Sequence, residues 1–146
     1  MDGYAEPSPA RMPGRLKWAL AFAYIQVVAN LGFGILLGSS ISDVVDHGEE
    51  LANPGLAYFA EYFSYIAAAA ILIAAIGITV GQGWARILLA VFEALAVING
   101  IVTLIQGTTG GILGIVLAIL VIVTLFHQSV TAWFEAKAAQ RNQTQS

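Results

Sequence analysis

Cysteine is absent from this chain of 146 residues, and charge is scarce: lysine and arginine number 6, aspartate and glutamate 9, together 10%. The first absence excludes disulfide staples, thiolate metal sites and thiol chemistry. The second excludes an ordinary soluble domain, in which roughly a quarter of the residues are charged. A net charge of −3 leaves no basic footprint for nucleic acid. Also missing are the phosphate-cradling glycine loop ending in Lys-Ser or Lys-Thr, the H-E-x-x-H zinc motif and the G-x-S-x-G elbow. The chain therefore reads as non-enzymatic, with no catalytic residue, metal site or cofactor expected. What remains is apolar. Hydrophobic residues make up 58%, and the mean hydropathy is +0.79. Disorder needs the opposite composition. An integral membrane protein is the class left standing.

A hydrocarbon core of roughly 30 Å takes about 20 apolar residues as helix. Four stretches qualify, approximately residues 16–38, 56–81, 84–106 and 111–129. None alternates apolar and polar residues as barrel strands do. The expected fold is an all-α membrane protein, a four-helix transmembrane bundle spanning residues 16–129. Residues 1–15 should be a disordered tail, and residues 130–146 a partly helical one. Gly81-Gln82-Gly83 and the run from Gly107 to Gly111 read as tight turns. The longest connection, residues 39–55, holds Asp43, Asp46, His47, Glu49 and Glu50. Its Ile41, Val44, Val45 and Leu51 are loosely spaced for a short surface helix. Its acids read as a solvated loop rather than a metal site, since no calcium-loop spacing is present. The first span is too long for a signal core and lacks a cleavage site, so it reads as an uncleaved anchor.

Orientation follows the basic residues. Arg11, Arg15 and Lys17 precede or open the first span, Arg86 opens the third, and Lys137 and Arg141 follow the fourth. Both termini are therefore expected to be cytoplasmic, in a cell membrane. Trp18, Trp84 and Trp133 fall at the same boundary, where amphipathic rings prefer to lie.

Lipid tails are as apolar as leucine, so the helices must be joined by close packing and polar contacts. Small residues at four-residue spacing supply candidate grooves: Gly34 and Gly38, Gly77 and Gly81, and Gly110 with Gly114 and Ala118. They fit packing within the chain or association with a second copy. A shift of 69 positions lays the first span on the third, placing Lys17 on Arg86 and Asn30 on Asn99. Asn30 and Asn99 then lie at matching depth, and a hydrogen-bonded pair between them is expected.

Glu93 is the one acid deep within a span. An intramembrane carboxyl is by default a functional-site hypothesis. It should face inward and bond Tyr24 or Gln26, which lie at comparable depth on the first span. Three readings stay open for it: a protonated structural clamp, a proton- or cation-coupling group of a small transporter or channel, or a hydrated interfacial acid. Glu61, nearer the outer boundary among tyrosines, reads as a solvated acid.

The run Gly83-Trp84-Ala85-Arg86 opening the third span resembles that of small four-span prokaryotic membrane proteins of unknown function. The likeness covers the span layout and this motif, and it implies no particular activity. Small multidrug exporters share the length and span count but carry their functional glutamate in the first span, which here has no acid. The leading expectation is a protein acting through helix–helix association, with itself or as an accessory subunit, and with the lipid bilayer as its first partner.

Overall fold

A computed structural model describes residues 9–146. Five helices follow in chain order: α1 (Gly14–Asp46), α2 (Pro54–Thr79), α3 (Gly83–Ile105), α4 (Gly111–Leu125) and α5 (Gln128–Thr144). Among the described residues there is no strand. Helices α1, α2 and α3 are each long and apolar enough to cross a membrane. Helix α4 joined to α5 across a 48° bend makes a fourth candidate. Neighbouring helices pack in chain order, and α4 also touches α1. The disorder expected of the first 15 residues falls mostly outside the described ones, while Gly14 and Arg15 already belong to α1.

The first helix corrects the expected boundary. It does not stop near Gly38 but runs for 33 residues, about 50 Å at 1.5 Å per residue. Ser39 and Ser40 turn their hydroxyls back onto the carbonyls of Ile35 and Leu36, both at 2.9 Å, and so sit within the helix. Ile41 is buried and Val44 half-buried. These apolar positions continue α1 rather than form a separate surface helix. The stop comes at Gly48, whose φ of 71° a side chain would oppose. Asn53 then starts α2 by accepting the Leu56 amide at 3.2 Å, with Pro54 in the first turn.

The fourth apolar stretch departs in the opposite sense and is shorter than expected. Helix α4 has 15 residues and ends at Leu125, not near Ser129. The His127 ring accepts the Ser129 amide at 3.2 Å and thereby opens α5. A side-chain cap, rather than a glycine or proline, breaks the chain here. The tail after it is helical as far as Thr144.

The core mixes small and large apolar residues, Leu16, Ile78, Leu89 and Leu125 among the large ones, while large apolar side chains also cover the exterior. Ala19, Ala23, Ala68, Ala74, Ala75 and Ala85 are buried between the helices. Leu36, Phe59, Ile66, Ile98, Leu113 and Val123 are exposed. In water such an exterior would aggregate. In hydrocarbon it is the solvated face, while small inner residues let helix backbones approach.

Candidate functional site

Along α3 the buried positions include Ala85, Leu89, Glu93 and Gly100, a stripe at helical spacing that faces the other helices. Glu93 is therefore turned inward by register, and it is 1% exposed. Gln26 of α1 meets it, donating from Nε2 to Oε2 at 3.2 Å. Of the two partners expected on α1, Gln26 is the one in contact. Tyr24 is 40% exposed and borders a shallow apolar hollow with Ile25, Val28 and Ala29.

The Asn30–Asn99 pair is not formed. Asn30 donates to the backbone carbonyl of Gln26, one turn earlier on its own helix, at 2.9 Å. Asn99 is exposed. Matching depth does not give matching direction: successive residues turn by about 100° around a helix. Gly100 is buried, so its predecessor is carried to the edge of the outward face. Among the described residues the Asn99 amide has no hydrogen-bond partner, although its backbone carbonyl accepts the Thr103 hydroxyl at 2.8 Å.

The glycines divide similarly. Gly34 lies against the Tyr65 ring, Gly38 against the Glu61 carboxyl, and Gly77 against Ala85 and Trp84. Gly81, at φ 80°, turns the chain under the Lys137 side chain. Gly110 and Gly114, in contrast, have nothing within 4 Å of where a Cβ would stand. The expected α4 groove is displaced by one residue. Gly111 meets the backbone of Gly100, and that crossing brings α3 and α4 together. Gly111 and Ala118 share the buried stripe; Gly110 is turned about 100° from Gly111, while Gly114 lies at the edge of the stripe and meets no neighbour.

A second polar junction lies at the end of the molecule carrying the basic residues. The Arg86 guanidinium sits over the rings of Phe126 and Phe134, at 5.5 and 5.3 Å, and donates to the Thr131 hydroxyl at 3.2 Å. Arg141 of α5 donates to the Gly81 carbonyl at 3.0 Å, just past the C-terminal end of α2. A cation there complements the helix dipole. Trp133, expected at a lipid boundary, is instead 5% exposed, stacked edge-on against Phe134 and donating to the Ala10 carbonyl. Sequence reasoning misses these contacts. The one available signal is the placement of Lys137 and Arg141 beyond the last apolar run.

At the opposite end, the extension of α1 and the start of α2 border an open cleft of about 550 Å³ lined by Ser39, Ser42, Asp43, Asp46, Glu61 and Tyr65. Among the described residues no three ligating side chains are grouped to hold a metal ion. No family model, curated protein or solved structure matches this chain.

Proposed function

We propose that this is a multi-pass protein of the cell membrane that crosses the bilayer four times, keeps both termini in the cytoplasm and works by lateral helix association. The fourth crossing is α4, completed by the first turn of α5. Alone, α4 reaches about 22 Å, short of the hydrocarbon thickness. Support for the orientation comes from Trp18 and Trp84, exposed at the end that carries the basic residues. The resemblance to small four-span membrane proteins, carried by the Gly-Trp-Ala-Arg opening of α3, belongs to the same proposal.

One observation carries the association reading. On the outward face of α3, Leu95, Ile98 and Val102 surround a single amide, that of Asn99. A lipid-facing amide lacks partners in hydrocarbon, and a neighbouring helix supplies them. Asparagine carries both a donor and an acceptor, so two copies related by a two-fold axis satisfy each other. A second copy of this chain is the simplest occupant, and an accessory role would place another membrane protein on the same face.

Energy transfer between labelled copies in liposomes, at fixed protein-to-lipid ratio, tests this. Asn99→Leu should weaken association several-fold, since interhelical hydrogen bonds in membranes average about 0.6 kcal/mol and a symmetric pair makes two. Equal association by both proteins would remove α3 as the interface.

A further inference from the structure

A polar atom buried in hydrocarbon without a partner is costly, so each such atom calls for an explanation. Among the described residues three side-chain atoms are in this state: Gln26 Oε1, Glu93 Oε1 and Arg86 Nε. Two of the three belong to Gln26 and Glu93, whose contact is the one side-chain hydrogen bond between α1 and α3 among the described residues. Both are oxygens.

The hydrogen-bond inventory of the pair is short of donors. An ionised Glu93 offers two acceptor oxygens, and the Gln26 carbonyl offers a third; the only donor group is the Gln26 NH₂. Its contact is the one with Glu93 Oε2. Reversing the amide exchanges one unsatisfied oxygen for another. Among the described residues no nearby cation makes up the deficit. On α3 itself, Arg86 lies seven residues earlier, about 10 Å along the axis, with its guanidinium engaged by Thr131 and two rings. On α1, Arg15 and Lys17 are exposed near its start. On α2, Glu61 and Tyr65 lie against Gly38 and Gly34, two turns or more from Gln26. Helix α4 has no titratable side chain, and on α5 Lys137 and Arg141 sit at the Gly81 turn.

A single hydrogen removes the shortage. Placed on Glu93 Oε1, it makes the carboxyl a donor to the amide carbonyl, while the amide N–H donates to the acid carbonyl. With the acid and amide closed into a two-point ring, both orphaned oxygens would be satisfied together. We propose that Gln26 and Glu93 form a binding site for one proton, which holds α1 to α3 inside the membrane. Loss of that proton leaves two acceptor oxygens facing each other beside an unpaired negative charge, and the α1–α3 junction opens. The site rests on the reading that these helices lie in hydrocarbon, and it is independent of whether copies associate through α3.

Infrared spectroscopy of the full chain in phosphatidylcholine liposomes at neutral pH tests the proposal. The difference between the wild-type protein and Glu93→Gln should contain one protonated-carboxyl C=O band, shifted downward in D₂O. Glu93→Gln keeps a two-point amide–amide ring, so its helix content should match that of the wild type. In Gln26→Leu the band should move to higher wavenumber, because the acid loses the donor to its carbonyl. Gln26→Asn, which withdraws the amide by one carbon, should give the same upward shift if the leucine variant does not fold. A difference spectrum holding only carboxylate bands would overturn the proposal. So would loss of the protonated band on adding sodium, which would make the ligand a metal cation. A band unmoved in a folded Gln26 variant would overturn the partnership. None of these readouts depends on lateral association, so failure of the association reading leaves the proton site untouched.

Discussion

Arg86 and Glu93 stand two turns apart on one helix and are held in different ways. The guanidinium lies over two aromatic faces, with a hydroxyl as its hydrogen-bond partner, beside the short break between α4 and α5. The carboxyl is buried within the bundle and, among the described residues, the Gln26 amide of α1 is its one hydrogen-bond partner. Near a boundary a charge can be shared among rings, headgroups and water. In the middle of a bilayer those aids are gone, and a polar group must be satisfied by its neighbours or made neutral. The basic end is therefore tolerant and the middle exacting.

Breaking the middle should have the larger effect. Gln26→Leu leaves the carboxyl buried without a partner and should destabilise the protein by about 1–3 kcal/mol, the usual cost of an orphaned buried group. Reversible unfolding in mixed micelles would measure it. Arg86→Met keeps bulk between the two rings but removes the cation. The expected loss is about 1–2 kcal/mol, from two cation–π contacts of roughly 0.5–1 kcal/mol each. If Arg86→Met proves more damaging than Gln26→Leu, the comparison is inverted and the charge at the basic end is the critical one. Arg141→Ala should lower stability by about 0.3–1 kcal/mol, the usual scale for a cation at a helix C-terminus, with faster proteolysis of α5 as a second readout. Glu93→Gln should change unfolding least, since an amide replaces a neutral acid in the same shape.

The same contrast explains what is legible in the sequence. Apolar runs near Leu56, Trp84 and Ile112 show where helices α2 to α4 lie, because composition alone decides whether a segment suits hydrocarbon. The turn at Gly81-Gln82-Gly83 is legible for a local reason: a positive φ needs glycine. The inward turn of Glu93 is legible from cost, since an isolated acid inside an apolar run must leave the lipid face. Direction around a helix is harder. Asn30 and Asn99, expected at one depth, do not meet, and Gly110 misses the contact of α4 with α3 by one residue. The length of α1 is concealed because Ser39 and Ser40 look like loop residues until their hydroxyls bond back to the helix. The break after Leu125 depends on a histidine cap, and the contacts of α5 link residues more than 40 positions apart.

Topology is the most direct test of the account, and a chain without cysteine of its own suits the purpose. In sealed cells a membrane-impermeant maleimide should label Ser42→Cys, on the exposed extension of α1, from outside. Ser146→Cys, beyond α5, should react only after permeabilisation, as should Arg15→Cys at the start of α1. Labelling of the positions near the two termini from opposite sides would mean an odd number of crossings and would contradict the four-span arrangement.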